Sequence, residues 1–300
     1  MKELNKIWLD GEFVNWQSSK IHILNHSLHY GSAVFEGIRA YKTKKGSAIF
    51  RLPEHIDRLF YSASCMGMKI PFSKEEIREA ILKLVKINKE DKCYIRPLVF
   101  FGYGKMGLNP KGALVKTAII NWPWGAYLGE GKPIRTVISK YTRPHPKSTI
   151  MNAKISGTYS NSILASLEAQ KAKVEEAILL DFQGFIAEGP GENIFMVKNR
   201  KIFTPPKGTI LPGITRDSVI KIAKNYKISV EEKKITTQEI KTADEVFFTG
   251  TAVEICPIGK IDKTIINKGE IGEITKKIKN TYQKIVCGEE KKYLEWLTFV

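Results

Sequence analysis

Lys154 lies among small and polar neighbours in "MNAKISGTYSN", residues 151–161, in a chain that holds 48 Lys and Arg. An amine in that setting is either a solvated charge or a nucleophile toward an aldehyde, and the remaining residues must decide between the two. "IAEGPGENIF" puts Glu188 at the end of an expected strand, in a glycine-rich stretch where backbone can come close to a ligand. "LPGITRDSVIK" starts a helix just after Pro212 and Gly213. Free N–H groups at that start, with the Thr215 hydroxyl, suit a phosphate. "FFTGTAVEI" ends a strand at Gly250, Thr251 and Ala252, a second turn able to hold an anion. Taken singly, the glutamate reads as a solvated loop carboxylate and the helix start as an ordinary cap.

Together these parts are what a pyridoxal phosphate site requires. A lysine amine forms the Schiff base, and an acid beside the ring nitrogen keeps it protonated. A donor tunes the phenolic oxygen, and main-chain N–H groups with hydroxyls hold the phosphate. Lys154, Glu188, Tyr159 and the turns at 213–215 and 251 can fill those roles. The lysine also needs a lowered pKa, which burial or a neighbouring cation supplies.

Other motifs carry less. "GYGKMG", Gly102 to Gly107, matches a dinucleotide fingerprint, but "LNPKGALVK" follows it with no helical period, so it reads as a loop. His22, His26 and His29 lie close together, but no helix is predicted there and no acid or thiol completes a metal set, so no metal is expected. No G-x-S-x-G elbow and no Walker loop is present.

The elements that must position these residues read as two halves. "IWLDGEFVN" is a hairpin through an Asp-Gly turn. "PEHIDRLFYSASCMGM" puts Ile56, Leu59, Phe60 and Ala63 on one helical face. "SKEEIREAILKLVKIN" opens with a Ser73–Glu76 capping box and buries Ile77, Ile81, Leu84 and Val85. "CYIRPLVFF" and "KTAIINWPW" are strands, and "GAYLGEGKP" reads as a link. After it come the strand "IRTVISKY", a Pro-containing loop, a helix from Tyr159 and the hairpin "EAILLDFQGFIAEG". Two strands in "ENIFMVKNRKIFTPP", a helix in "GITRDSVIKIAKNY", the strand "EVFFTG" and a last helix complete the chain. The expected division is a small N-terminal α/β domain over 1–125, a linker over 126–133, and a large C-terminal domain over 134–300. Hairpins mixed with single helices predict an α/β fold of α+β character rather than strict βαβ alternation.

Composition narrows the setting. Three hundred residues suit about two domains, and 43% hydrophobic with 26% charged residues is ordinary for a globular chain. No apolar run reaches a membrane-spanning length, and the N-terminus has no apolar h-region, so a signal peptide is not expected. Four scattered cysteines argue for reduced thiols and a cytoplasmic location. The net charge of +17 is spread over the polar faces of amphipathic segments, without like-charge runs or a nucleic-acid motif, so neither nucleic acid nor membrane is an expected partner.

The sequence resembles the class IV, fold-type IV pyridoxal-phosphate aminotransferases, and among them the branched-chain amino acid aminotransferases. The resemblance runs through Glu188, "ENIF", "IFT" and "LPGITR", and through "LHYGSAVFEGIRAY", "EHIDRL", "YIRP", "PWGAYLG" and "SGTYSNS". It covers nearly the whole chain. Pro190 stands where the family has a small residue. The resemblance implies a two-domain fold like that of D-amino-acid aminotransferase. It also implies pyridoxal 5'-phosphate as cofactor and reversible, ping-pong transamination of L-leucine, L-isoleucine and L-valine with 2-oxoglutarate, in branched-chain amino acid biosynthesis or degradation. By the same resemblance Lys154 carries the Schiff base and later moves the proton, Glu188 bonds the ring nitrogen and Tyr159 the phenolic oxygen. Arg58, Gly213, Ile214, Thr215 and Thr251 hold the phosphate. Tyr94 and the N–H groups near Thr251 and Ala252 hold the substrate α-carboxylate, and Gly37 is a further substrate-binding residue. Arg96, with Tyr30 of the partner subunit, takes the second carboxylate of glutamate. Phe35, Trp124, Tyr127 and Leu108 of the partner subunit form an apolar wall, although aromatics in these positions also read as plain core. The implied assembly is a homodimer at minimum, or a homohexamer. A D-amino acid transaminase or an aminodeoxychorismate lyase would share Lys154 and Glu188.

Overall fold

A computed structural model describes residues 3–125, 128 and 131–300. The chain forms two compact units. Unit one comprises Met1–Gly125, Ala153–Gly157 and Ile285–Val300; unit two comprises Ala126–Asn152 and Thr158–Lys284. The linear reading has Lys154 in the C-terminal half, whereas by contacts its segment belongs to unit one.

Unit one is built on an antiparallel sheet: β1 (Lys6–Leu9), β2 (Glu12–Asn15), β3 (Ala33–Phe35), β4 (Ile38–Thr43), β5 (Gly46–Phe50), β6 (Cys93–Phe101), β7 (Val115–Pro123) and the C-terminal β17 (Leu297–Phe299). Their order is β17-β5-β4-β6-β7-β1-β2, with β3 on β6. The Asp10-Gly11 turn takes positive φ at both residues, as a tight hairpin demands. Helices α2 (Leu52–Cys65) and α3 (Lys74–Asn88) lie against the sheet. Ile56, Ile77, Ile81 and Leu84 pack on Ile38, Ile49 and Ile95 in one buried cluster. The α3 start carries the expected capping box, with Ser73 accepting from the Glu76 N–H and Glu76 accepting from Ser73. A short helix, α1 (His26–Tyr30), forms where none was predicted. Five residues are too few for a period, and its limits come instead from the Asn25 side chain capping Ser27 and from Gly31 at φ 63°.

Unit two carries β8 (Ile134–Thr142), α4 (Tyr159–Lys171), β9 (Glu176–Leu180), β10 (Ile186–Glu188), β11 (Asn193–Lys198), β12 (Lys201–Thr204) and α5 (Ile214–Asn225). Then follow β13 (Val230–Glu232), α6 (Thr237–Lys241), β14 (Glu245–Gly250), β15 (Glu254–Ile261), β16 (Thr264–Ile265) and α7 (Glu273–Val286). The sheet order is β10-β9-β8-β15-β14-β11-β12-β13, and β10 also pairs with β11, so six strands close into a circuit. Closure leaves the Glu188 end of β10 hydrogen-bonded on both sides, which fixes that carboxylate's backbone. Parallel pairs occur only at β8–β9, β8–β15 and β12–β13 among these strands. Both sheets thus mix hairpins with few crossovers, and the fold is the expected α/β arrangement of α+β character.

Candidate active site

Unit one surrounds Lys154 with charge and aromatic surface. The lysine's backbone is held at both groups: its N–H donates to the Ser62 hydroxyl at 2.9 Å, and its carbonyl accepts from the Phe35 N–H at 3.1 Å. A bridge between Val34 and Ile155 continues the zip onto β3. The Lys154 Nζ stands 4.6 Å from the centre of the Phe35 ring. Burial, and next the Arg58 guanidinium, bring the amine down to about 8, against the upward pull of the Glu36 carboxylate. This lysine differs from the surface lysines in a physical respect, since a large share of its amine is neutral near pH 8.

Arg58 comes from α2 and is itself fixed by Glu36, the residue after β3. Its Nε donates to Glu36 Oε1 at 2.6 Å and its Nη2 to Oε2 at 3.0 Å, a two-pronged grip on a fully buried carboxylate. His55, one helical turn before Arg58, donates from Nδ1 to Glu36 Oε2 at 2.7 Å. Burial favours the neutral acid, but Arg58 and His55 outweigh it and hold Glu36 well below the usual carboxylate range. Burial also lowers the His55 pKa, more than Glu36 raises it, so His55 stays neutral with its proton on Nδ1. Sequence reading quoted Glu36 and His55 inside "FEGIRAY" and "EHIDRL" but gave them no role. The spacing of His55 and Arg58 put both on one helical face; nothing local pointed from there to Glu36.

Tyr94 and Arg96 project from the same side of β6. The Tyr94 ring is 4.8 Å from Trp124 and 5.2 Å from Trp122. A Cβ on Gly37 would overlap the Tyr94 hydroxyl, so any larger residue there must push that ring aside. Unit one therefore brings Lys154, Phe35, Gly37, Arg58, Tyr94, Arg96 and Trp124 into one neighbourhood. It leaves Tyr30 and Leu108 on the surface, 41% and 85% exposed. Tyr127 lies outside the described residues. The three histidines of 22–29 are spoken for otherwise: His26 bonds Ser32 Oγ and the Gly107 carbonyl, His29 the Ile23 carbonyl, and His22 accepts from the Leu24 N–H. Among the described residues no cluster of three or more His, Cys, Asp or Glu could hold a metal. "GYGKMG" is a loop, and the next regular element is the strand β7.

Unit two collects the acid and the uncapped helix. Glu188 is 4% exposed. Its Oε2 accepts from Asn193 Nδ2 at 3.0 Å and from the Leu211 N–H at 3.2 Å. Arg143 Nε lies 2.9 Å from Oε1, an ion pair rather than an aligned hydrogen bond. Arg143 is a partner that sequence reading passed over inside its Pro-rich loop. Asn193 also donates to the Leu211 carbonyl, so it ties Glu188 to the loop that leads into α5. Gly213 stands at the cap of α5 and offers the helix's first N–H groups no side-chain acceptor. A Cβ on Gly213 would strike Asn193 Oδ1. Ile214 and Thr215, both buried, begin the helix. Thr251 and Ala252 form the turn after β14, whose Thr249 lies opposite Asn193. Tyr159 starts α4 and lines a cavity with Pro190, Gly191 and Glu192.

A lysine amine brought down to about 8 in unit one, and a buried, hydrogen-bonded carboxylate and an uncapped helix start in unit two, are groups of the kinds a pyridoxal-phosphate aminotransferase uses. The family model described as "Amino-transferase class IV" matches residues 33–261. The branched-chain-amino-acid aminotransferase of Pseudomonas aeruginosa is 46% identical over 299 residues, 98% of this chain and 97% of that one. The crystal structure of the branched-chain aminotransferase from the thermophilic archaeon Thermoproteus uzoniensis with norvaline superposes with TM-score 0.95 and 41% identity, covering 98% of this chain and 99% of that one. The holo-form structure of the branched-chain amino acid aminotransferase from Thermobaculum terrenum, which contains PLP, gives TM-score 0.94 at 32% identity, with 99% of each chain covered. The chain belongs to the class IV aminotransferase family. Within it, these relatives, matched over nearly their whole length, are branched-chain amino acid aminotransferases.

Proposed function

We propose that this protein transfers the amino group between L-leucine, L-isoleucine or L-valine and 2-oxoglutarate, in two half-reactions taken in turn. The observation that carries the proposal is Lys154, whose backbone is pinned by Ser62 and Phe35 and whose amine is brought down to about 8 by burial and Arg58. Pyridoxal 5'-phosphate is the cofactor, and the residues present fit it. Lys154 offers a nucleophilic amine for its aldehyde. Glu188, which accepts from Asn193 and the Leu211 N–H and pairs with Arg143, suits a protonated ring nitrogen. The open N–H groups of Ile214 and Thr215, with Thr251, suit its phosphate, and the family resemblance adds Arg58 to that task. When bound, it acts as the electron sink that makes the substrate α-proton acidic.

The chain's own residues do the rest. Tyr94, with its hydroxyl over Gly37, receives the substrate α-carboxylate, a task the family resemblance also gives to Thr251 and Ala252. Tyr159 donates toward the phenolic oxygen. With the cofactor bound, Lys154 would hold its aldehyde, and once released its Nζ would take the proton from the substrate α-carbon. Phe35 and Trp124 exclude water along the branched side chain. Arg96 receives the second carboxylate when the substrate is glutamate.

Glutamate formation from 2-oxoglutarate, followed with L-leucine and separately with D-leucine, tests the reading. The L-isomer alone should support it. Activity with the D-isomer, or release of pyruvate and an aromatic amine from aminodeoxychorismate, would replace it with one of the sister activities. Uptake of pyridoxal phosphate by cofactor-free protein gives a second check. Only the neutral amine attacks, so the rate should rise as pH increases through about 8 and level off above it. A rise delayed until pH 10 would contradict the burial of Lys154. A third concerns Gly37. Its change to Ala pushes the Tyr94 hydroxyl aside, and the KM for amino acid should rise roughly tenfold, about 1.4 kcal/mol, while the cofactor's absorbance stays as it is.

We further infer a homodimer at minimum. Beside exposed Tyr30, a groove of about 350 Å³ is lined by Ile7, Leu9, Leu28, Leu98, Phe100 and Ile120. Ile21 and Leu28, which line it, are 56% and 58% exposed. An apolar patch of this kind suits a second copy, which would bring Tyr30 and Leu108 to its neighbour's site. Sedimentation should give twice the chain mass or a multiple of it. The described helices include none long and apolar enough to cross a membrane. The four free thiols support a reducing compartment, the cytoplasm.

A further inference from the structure

Arg96 presents a problem that its proposed role does not solve. A guanidinium that must greet a carboxylate in one half-reaction and an apolar side chain in the other needs its charge balanced in both. A resident carboxylate would balance it but would also compete with the substrate. Among the described residues none pairs with Arg96. Its Nε donates to the Glu36 main-chain carbonyl at 2.9 Å, and the Glu36 carboxylate is taken by Arg58 and His55. Three rings surround the guanidinium instead, with Cζ 4.6 Å from the centre of Phe35, 5.5 Å from Tyr94 and 5.7 Å from Trp122. Aromatic faces attract a cation without offering an anion.

Trp122 is the member of this set with no assigned task. It sits directly opposite Tyr94 across the β6–β7 ladder and diagonally from Arg96, so the sheet itself brings its ring to both. It is 9% exposed, and its Nε1 has no hydrogen-bond partner among the described residues. Burying an indole N–H without a partner is costly, and phenylalanine would avoid the cost. The broad indole face beside Arg96 gives a reason for keeping it, because tryptophan binds cations most strongly among the aromatics.

We propose that Trp122 is a specificity-determining positioning residue. Its ring fixes and compensates the Arg96 guanidinium so that the site accepts a dicarboxylic 2-oxo acid as well as a branched one. This inference rests on the transaminase reading above. The test measures kcat/KM for 2-oxoglutarate and for 4-methyl-2-oxopentanoate in the holoenzyme, in Trp122→Phe and in Trp122→Leu, with thermal melting to follow the fold. The ratio of the two values isolates Arg96, because a merely structural loss lowers both together. The preference for 2-oxoglutarate should fall roughly threefold in Trp122→Phe and about tenfold in Trp122→Leu. The loss should appear in KM, and inhibition by glutarate should weaken in step while inhibition by 4-methylpentanoate does so less. In an Arg96→Gln background, Trp122→Leu should not move the ratio further, since the group it positions is gone. Trp122→Phe keeps a ring of related shape and leaves no orphaned partner, so it supplies a folded variant. An unmoved ratio in both variants, or an equal shift persisting without Arg96, overturns the proposal. A wild-type enzyme inactive toward 2-oxoglutarate overturns the transaminase reading along with it, and is told apart by that result alone.

Discussion

Lys154→Ala protein supplied with pyridoxal phosphate is expected to lose turnover by roughly four orders of magnitude or more, since the proposed function gives one side chain the tasks of both cofactor anchor and proton carrier. Its spectrum should lack the absorbance of cofactor joined to protein. The wild type should show that band, shift it on adding L-leucine and regain it with 2-oxoglutarate. Other lysines cannot substitute. Lys154 owes its position to two main-chain hydrogen bonds and its reactivity to burial beside Arg58, and most other lysines are exposed to water. A folded wild type that takes up no cofactor would return Lys154 to the crowd of surface charges. A variant with a normal band would move the attachment point elsewhere.

The second large effect is expected at Glu36, and it concerns stability as well as catalysis. Glu36→Ala removes the carboxylate that the structure sets between Arg58 and His55, leaving a guanidinium 13% exposed without its two-pronged partner. Removing one member of a buried ion pair costs about 3–5 kcal/mol, because the other charge stays desolvated. For a chain of this size that corresponds to a fall of roughly 10 °C in the melting midpoint. Affinity for pyridoxal phosphate should weaken too, as Arg58 is no longer aimed. Glu36→Gln, which keeps the shape and one acceptor, should fall between. The pH behaviour follows from the sign of the shift. Glu36 is held below its ordinary 4.5 in the folded state, so its contribution is fully present above that value and is lost as pH falls below it. The wild type should therefore lose part of its stability in acid that Glu36→Ala has already lost, and the two melting curves should converge there. Parallel curves down to strong acid would mean that the carboxylate is not the anchor.

Much of this molecule was legible in its residues. The hairpin at Asp10-Gly11, the apolar faces of α2 and α3, the capping box at Ser73 and the strands β6 and β7 follow from spacing within a dozen residues. So does the helix start after Gly213. Local chemistry also singled out Lys154, Glu188 and the turn before Ile214 as candidates, because a strand end rich in glycine and a helix start have recognisable sequence forms. What the sequence could not express is pairing at a distance. Glu36 meets His55 and Arg58 across 19 and 22 residues, Arg143 meets Glu188, and β17 returns to β5 from the far end of the chain. Trp122 and Arg96 share a surface only because β6 and β7 adopt one register. The five-residue α1 was invisible for the opposite reason, being too short to show a period. By itself, then, the sequence determined the elements and the chemical groups, since propensity, capping and turn geometry act over neighbouring residues. The tertiary structure decided which charges share a carboxylate, which lysine is desolvated and which rings face an arginine. Burial and Coulomb interaction depend on distance in space, and the folded backbone alone sets that distance.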